Sequence, residues 1–431
     1  MGDKDKFFAI LNQEMICATG CTEPAAISYA ASLAGYEVKK LGDDIKEINV
    51  IASKNVLKNA MSAGLPNSDK IGVRYAAGIG AIHGDPTKKL EVNVDVDEES
   101  YEKSTKMIEE GKISVEVAKV PNLLYIEVIV KGTNHTAKAV IKDMHTNVTL
   151  IEVDGTIKYQ NEAATSSQVK YSPEEMASFL SLEKIWNFAT KELDPINDPI
   201  DILVKAVEFN SAIADEGLKN DYGLQVGKNL MSSGKVENDY TMHAIMRTTA
   251  ASDARMAGAP YSVVTNSGSG NQGITNVMPL VTLANDLKLG KEKMYRALAL
   301  GNLTSIYIKS QFGTLSAFCG AAVASTGAAA GITYLKGGDF AAYERVIENM
   351  IGTVTGMLCD GAKPDCSLKI YVGLQGAFNA ADLALKGIRV QKTEGIVCET
   401  AEDSIRNLCT LSKKCSEVVD NVIVEMMLVK R

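Results

Sequence analysis

The sequence predicts an α+β fold, in which a mixed α/β region near the N-terminus is followed by a mostly helical C-terminal region. Between about residues 46 and 159, short segments rich in Val and Ile recur, and several alternate polar with apolar residues, as half-buried strands do. From about residue 172 onward, apolar residues recur at spacings of three and four, which indicates amphipathic helices. A chain of 431 residues has room for two domains.

The individual elements are predicted from these two patterns in chain order. Strands are predicted at Ile48–Ile51, Leu90–Val96, Ile113–Val117, Leu123–Val130, Thr136–Ile141 and Thr149–Val153, and short helices at Val56–Ala63 and Glu99–Glu110. Ser172 and Pro173 have the residue types of an N-cap and a first helical position, so a helix is expected to begin there. We predict three parts: a helical segment at 1–40 that packs on the C-terminal domain, an α+β domain at 45–160, and a helical domain at 170–431.

Composition excludes several classes of function. The net charge is −8 and the basic residues are scattered, which argues against nucleic-acid binding. Residues Met1–Phe8 lack the order of a signal peptide, and the uncharged stretch Phe312–Leu335 is Gly- and Ala-rich, which favours a buried helix pair over a membrane span. We therefore expect a cytoplasmic protein with no membrane partner. In that compartment, eight cysteines indicate metal binding, catalysis or core packing rather than disulfides.

The first motif that can carry chemistry is Gly20–Pro24, which precedes a helical run. Thr22 is expected to be the N-cap of this helix, with Pro24 near the first turn. Cys21 would then lie beside a helix N-terminus, where the dipole favours a thiolate. Glu23 can accept a proton or contact an ammonium group. The alternative is a helix cap with a buried cysteine beside it.

The second motif is a set of three cysteines, Cys319, Cys359 and Cys366. Gly361 and Pro364 interrupt any helix between the last two, so these cysteines are expected to flank a tight loop and to converge. Three thiolates in an apolar, Gly-rich setting suit an iron–sulfur cluster, whereas a zinc site usually requires a fourth ligand and no His lies nearby in sequence. The alternative is that all three are buried small hydrophobes.

The third motif is the loop Thr265–Gly273, in which Gly268, Gly270 and Gly273 formally satisfy the dinucleotide-binding pattern. A strand-like segment, Tyr261–Thr265, precedes it, but the segments after the loop are helical and offer no second parallel strand. We therefore interpret the loop as an anion nest that holds a carboxylate with backbone N–H groups and small polar side chains. The predicted contributors are Asn266, Ser267, Gly268, Ser269, Gly270 and Asn271.

The remaining His and Cys residues form no telling spacing. The four histidines, His83, His135, His145 and His243, are scattered, and each is interpreted as structural. Among them His135 is the most polar in setting, because it lies in a turn between two predicted strands. The other cysteines are Cys17, Cys398, Cys409 and Cys415. Cys409 and Cys415 lie in a terminal amphipathic segment and are interpreted as packing residues.

Taken together, Gly20–Pro24, Ser267–Gly273, Phe318–Gly320 and Cys359–Cys366 resemble the L-cysteine desulfidase family, which is related to the α chain of iron–sulfur L-serine dehydratases. The resemblance covers essentially the whole chain. It implies a 4Fe–4S cluster in the helical domain, no pyridoxal phosphate, and conversion of the amino acid L-cysteine to pyruvate, ammonia and hydrogen sulfide. It also implies a homodimer.

Residue by residue, Cys319 and Cys359 match ligand positions in both branches of this resemblance. Cys366 resembles the third ligand of the serine dehydratase branch, although the loop before it is shorter here, and desulfidases also carry the cysteine that corresponds to Cys21. We take Cys366 as the third ligand and Cys21 as a catalytic thiol. Glu23 and Lys363 are further candidate bases, and Thr22 joins the loop of the third motif in substrate binding. The alternatives are an L-serine dehydratase and a non-catalytic metabolite or redox sensor that uses the same thiols.

Overall fold

A computed structural model describes residues 2–66, 68–161, 171–234, 236–312 and 316–429 of the chain. The strands are β1 (Cys17–Thr19), β2 (Glu47–Ala52), β3 (Ile113–Val117), β4 (Tyr125–Lys131), β5 (Thr136–Lys142), β6 (Val148–Val153), β7 (Thr156–Gln160) and β8 (Ser262–Val264). The helices of the first half are α1 (Asp3–Glu14), α2 (Thr22–Lys40), α3 (Lys54–Ala60), α4 (Val73–Ile82), α5 (Glu98–Glu109), α6 (Pro173–Phe179), α7 (Leu182–Asn187) and α8 (Asp201–Lys219). Those of the second half are α9 (Val226–Ser232), α10 (Tyr240–Met256), α11 (Gly270–Asp286), α12 (Gly290–Phe312), α13 (Gly320–Leu335), α14 (Phe340–Val354), α15 (Cys366–Leu385) and α16 (Ala401–Val429).

The larger sheet of the described residues is mixed and has the strand order β3-β2-β4-β5-β6-β7. β2 and β3 are parallel, and every other neighbouring pair is antiparallel. Ile48, Val50 and Ala52 of β2 point to the buried face, which α2 and α4 cover. These two helices approach closely because Gly80 carries no side chain: a Cβ there would lie 2.6 Å from Ser28 Cα.

A short two-stranded ladder joins distant parts of the chain and positions the candidate site. β1 and β8 pair antiparallel, with Cys17 opposite Val264 and Thr19 opposite Ser262. The pairing continues past the strand ends, where Ser267 N–H donates to the Glu14 carbonyl at 2.9 Å. As a consequence, the first motif, which comes after β1, lies next to the third motif, which comes after β8.

The helical region has its own hydrophobic core, which includes residues of α10 to α15. α1 packs on this core, where Phe7 stacks on Phe188 with ring centroids 4.3 Å apart, whereas α2 packs on the sheet. α6 begins as predicted, with Ser172 accepting from Glu175 N–H in a capping box. No helix among the described residues is both long and apolar enough to cross a membrane.

The predicted α+β class is confirmed, and five of the six predicted strands correspond to β2 through β6. The strand predicted at Leu90–Val96 is wrong. The segment instead forms a 3-10 helix over Pro86–Glu91 and then successive turns, with Val94 N–H donating to the Glu91 carbonyl. Leu90, Val92 and Val96 are buried in this turn structure. Their alternation with polar residues is therefore the same pattern that a half-buried strand would give. β7 was not predicted, although Ile157 and Tyr159 alternate with polar residues, and all of its side chains are exposed at the edge of the sheet.

Candidate active site

Two of the predicted ligands, Cys319 and Cys359, lie side by side. Phe318 and Leu358, which precede them, form an antiparallel bridge. Cys319 N–H donates to the Met357 carbonyl at 2.8 Å, and Cys359 N–H donates to the Ala317 carbonyl at 2.7 Å. The two thiols interact directly, and this hydrogen bond lowers the pKa of Cys359 while raising the pKa of Cys319.

The third predicted ligand, Cys366, is the first residue of α15 and lies close to both. Burial raises the pKa of Cys366, and the charge of Cys359 raises it further. The loop that returns the chain to Cys366 depends on Gly361, whose φ is +100° and whose missing Cβ would collide with the Lys58 carbonyl. Cys366 also packs against a small buried cluster that contains Cys21, Ala63 and Met256, which brings the second motif close to the first.

The donor set suits an iron–sulfur cluster better than a single metal ion. In the described part of the chain, no group of three His, Cys, Asp or Glu residues is spaced to hold one ion. A cubane differs, because each thiolate binds its own iron and the sulfurs need not meet at one point. The sulfurs are enclosed, and Lys58 and Lys369 lie nearby with positive charge that lowers the pKa of Cys359. Soft donors with adjacent cations are what an anionic cluster requires.

Cys21, Glu23 and Thr22 form a buried polar group at the start of α2. Cys21, not Thr22, is the N-cap residue, which corrects the predicted cap. The Cys21 thiol donates to Glu23 Oε2 at 3.3 Å, and the Thr22 hydroxyl lies 3.0 Å from both Glu23 Oε2 and the Gly268 carbonyl. Burial and the charge of Glu23 raise the pKa of Cys21 well above its ordinary value. This shift is opposite to the one expected from the helix dipole, which was predicted to favour a thiolate.

His145 lies in this site, although sequence reasoning interpreted it as structural. It is buried in the turn between β5 and β6, with Nε2 at 3.7 Å from Glu23 Oε1, beyond hydrogen-bonding distance but within reach of its charge. Asn59 Nδ2 donates to Glu23 Oε1 at 2.9 Å. Burial raises the pKa of Glu23, but His145, Asn59 and the Cys21 thiol together lower it to about 2. His135, the more conspicuous histidine, instead contacts Asp154 at 2.7 Å.

The loop of the third motif is held rigidly and ends at the N-terminus of α11. Ser267 and Gly268 have left-handed backbone, with φ of +47° and +79°. Asn266 Nδ2 donates to Asn302 Oδ1 at 2.9 Å, and the Ser269 hydroxyl caps α11. Because α11 begins at Gly270, its free N–H groups and dipole favour an anion beside this loop. β8 pairs with β1, so the described residues form no parallel pair here of the kind a dinucleotide site needs.

Two lysines near the cysteines differ in their partners. Lys363, a predicted base, forms ion pairs with Asp360 and with Asp365, which makes it a poor proton acceptor in this arrangement. Lys309 was not predicted. Burial lowers its pKa to about 8, and the charges of Cys359 and Cys319 oppose that shift. Since Lys309 lies on α12, 50 positions before Cys359 in sequence, no local pattern connected the two.

Arg255 was also missed, and it lies directly against the loop. It is 3% exposed at the end of α10, and Nη1 donates to Asn271 Oδ1 at 3.2 Å. Its charge lowers the pKa of Cys21, against the larger effect of burial. The nearest sequence signal was one basic residue in a helix that also carries Arg247 and Asp253, which is not specific. Folding brings Arg255 beside both the first and the third motif.

The fold and the site define an α+β protein whose helical region brings three cysteines together near the N-terminus of a helix. A family model described as the serine dehydratase alpha chain matches residues 87–425, and the chain belongs to this family. It is 39% identical to a UPF0597 protein of Clostridium perfringens over 99% of each chain. It is also similar to UPF0597 proteins of Oleidesulfovibrio alaskensis, at 39% identity over 99% of this chain and 98% of the relative, and of Photobacterium profundum, at 40% over 98% of each.

Proposed function

We propose that this protein is an iron–sulfur lyase that eliminates the β-substituent of L-cysteine, giving pyruvate, ammonia and hydrogen sulfide without pyridoxal phosphate. One observation carries the proposal: Cys319, Cys359 and Cys366 gather beside the Cys21–Glu23 pair and the loop at the start of α11. Family membership supports lyase chemistry. The preference for cysteine rests on Cys21, which the sequence resemblance connects with desulfidases.

A 4Fe–4S cluster held by Cys319, Cys359 and Cys366 would supply a Lewis acid for the departing sulfur. Residues of the protein bind and orient the substrate. Backbone N–H groups at the start of α11 hold the substrate carboxylate and stabilise the charge that builds when the Cα proton leaves. Thr22 and the left-handed loop fix the orientation of the substrate, which makes the elimination effectively intramolecular.

The Cys21–Glu23 pair is the proposed proton-transfer group. The Cα proton moves to this pair, its C–H electrons form the Cα=Cβ bond, and the Cβ–S bond breaks with its electrons going to sulfur. Glu23 orients the thiol by accepting its hydrogen bond, and its low pKa leaves the Cys21 sulfur as the proton acceptor of the pair. His145 lies behind Glu23, with Nε2 at 3.7 Å from Oε1. Lys309 is a further candidate base, since a pKa of about 8 suits proton transfer near neutral pH. The aminoacrylate product then hydrolyses to pyruvate and ammonia.

A matched assay tests the proposed substrate. Anaerobically prepared protein is supplied with L-cysteine or L-serine at equal concentration, and pyruvate and hydrogen sulfide are measured. We expect pyruvate and sulfide in equal amounts from cysteine, at a higher kcat/KM than pyruvate from serine. A preference for serine would identify the second candidate, an L-serine dehydratase, which the family description favours. Iron-loaded protein that turns over neither amino acid would indicate a thiol-based sensor.

We also propose that the protein acts in the cytoplasm as a homodimer. Val418, Val422 and Met426, four residues apart on α16, are 66%, 45% and 61% exposed and form an apolar stripe suited to helix pairing. Light scattering after size-exclusion chromatography should give twice the chain mass. Val418→Asp should shift the protein toward monomer, and an unchanged mass for this variant would exclude the stripe as the contact.

A further inference from the structure

Arg255 carries a buried positive charge that no ion pair within the described part of the chain neutralises. The side chain is 3% exposed, yet no Asp or Glu of the described residues lies within ion-pair distance of it. By contrast, Arg247, two turns earlier on α10, pairs with Asp215 at 2.7 Å on the surface. Burying an uncompensated charge is costly, so such a group persists where a ligand supplies the opposite charge.

The guanidinium is held on one side only. Nη1 donates to Asn271 Oδ1 and also contacts the Met256 sulfur at 3.8 Å, whereas buried Nε has no hydrogen-bond partner. The guanidinium group lies against Gly270, where a Cβ would come within 2.7 Å of Nη2 and closer still to Nε. Only glycine therefore lets Arg255 lie beside the first N–H groups of α11.

We infer that Arg255 is the residue that selects substrates with an α-carboxylate. Its planar donors and the N-terminus of α11 present positive charge to the same place, next to Cys21. A carboxylate bound there would receive charge-assisted hydrogen bonds and would neutralise Arg255. This inference rests on the proposed function, because it assigns the carboxylate of the amino acid to a particular side chain.

Binding of a matched pair of inert thiols tests the inference without turnover. The probes are 3-mercaptopropionate and 3-mercaptopropionamide, which differ only in the carboxylate, and their Kd values are measured by anaerobic calorimetry on the iron-loaded protein. The wild-type protein should bind the carboxylate more tightly. Arg255→Gln should weaken carboxylate binding by about ten- to a hundredfold and leave amide binding unchanged within about twofold. Arg247→Gln, the control on the same helix, should change neither.

Arg255→Lys covers the case in which the glutamine variant does not fold. It keeps the charge but loses the planar donors, so carboxylate binding should weaken less than in Arg255→Gln, with amide binding again unchanged. Equal weakening for both probes, or no change for either, would overturn the inference. The outcome is separate from the proposed function: a wild-type protein that binds the carboxylate through Arg255 but releases no sulfide from cysteine would refute only the lyase activity.

Discussion

Lys58 and Asp420, 362 positions apart, form an ion pair of 2.6 Å in the interior of the protein. Lys58 also donates to the Cys359 carbonyl at 3.2 Å. The Lys58 ammonium group of α3 thereby connects two other parts of the chain: the loop that begins at Cys359, and helix α16. Because both charged side chains are buried, loss of either partner leaves a charge in a poorly solvated place.

Asp420→Asn should lower the free energy of unfolding by about 3 kcal/mol, since Lys58 would keep its charge without a counter-ion. Urea denaturation followed by circular dichroism measures the loss. The control is Lys54→Ala, which removes an exposed hydrogen bond to Asn421 on the same pair of helices and should cost less than about 0.5 kcal/mol. Equal effects of the two substitutions would show that the buried pair adds nothing.

Cys319→Ala and Cys359→Ala should each abolish retention of iron, because both side chains belong to the predicted ligand set and already contact one another. Anaerobic wild-type protein is expected to contain about four irons per chain and to show broad visible absorption. Iron analysis and absorption spectra measure both. Cys398→Ala, which removes a thiol that accepts from Asn407 outside the site, serves as the control and should retain the cluster. Normal iron content in either ligand variant would contradict its assignment.

Cys21→Ala and Cys366→Ala distinguish the two candidates for the third ligand, which share one small cluster of packed side chains. We expect Cys366→Ala to lose iron, and Cys21→Ala to keep it while kcat falls by at least about a hundredfold. Iron content and turnover are measured on the same anaerobic samples. The opposite result, with iron lost from the Cys21 variant and kept in the other, would exchange their roles.

Glu23→Gln should reduce kcat by about a hundredfold or more, because it removes the carboxylate charge that accepts the hydrogen bond of the Cys21 thiol and orients it. The iron content should stay at the wild-type value, since Glu23 is not a predicted ligand. Steady-state rates with L-cysteine measure the effect, and Glu99→Gln, an exposed partner of Lys103, is the control. A wild-type kcat in Glu23→Gln would show that proton transfer does not need the Glu23 carboxylate.

Asp253 should make the protein less stable as the pH rises from about 4 to 6. Burial raises the pKa of Asp253 from 3.8 to about 6, although hydrogen bonds from Ser367 and the Gly227 N–H oppose the shift. The folded state then binds the proton more tightly than the unfolded state. The contribution of Asp253 to the free energy of unfolding is therefore fully present below the pKa of the unfolded state, and it is lost as the pH rises through the pKa of the folded state. At about 1.4 kcal/mol per pKa unit, the difference amounts to ~3 kcal/mol.

Urea denaturation of Asp253→Asn across this pH range measures that contribution. The variant should gain up to ~3 kcal/mol on the wild-type protein between pH 4 and 7, because an amide does not titrate. Asp201→Asn, which removes an exposed carboxylate at the start of α8, should give the same curve as the wild type. Parallel curves for wild type and Asp253→Asn would show that Asp253 has an ordinary pKa.

The sequence predicts structural features that depend on neighbouring residues better than contacts between residues far apart in the chain. β3 coincides with the predicted Ile113–Val117 because half-buried strands reveal themselves by alternation over a few residues. The approach of Cys319 to Cys359 was expected only through family resemblance, whereas Gly361 and Pro364 predicted the loop that brings Cys359 toward Cys366. His145 could not be predicted, since it reaches Glu23 only after the sheet and α2 have packed.

The spread of the site along the chain has a consequence for how the protein is made. Its residues come from α2, the turn between β5 and β6, the loop before α11, and the segments around Cys319 and Cys359–Cys366. Asp420 of α16 adds the buried ion pair with Lys58, which contacts the Cys359 carbonyl. A nascent polypeptide that has not yet extended past Asp420 lacks the last of these pieces, so the complete site cannot form before α16 has emerged from the ribosome. Iron for the proposed cluster would therefore have to be delivered after α16 has folded onto α3.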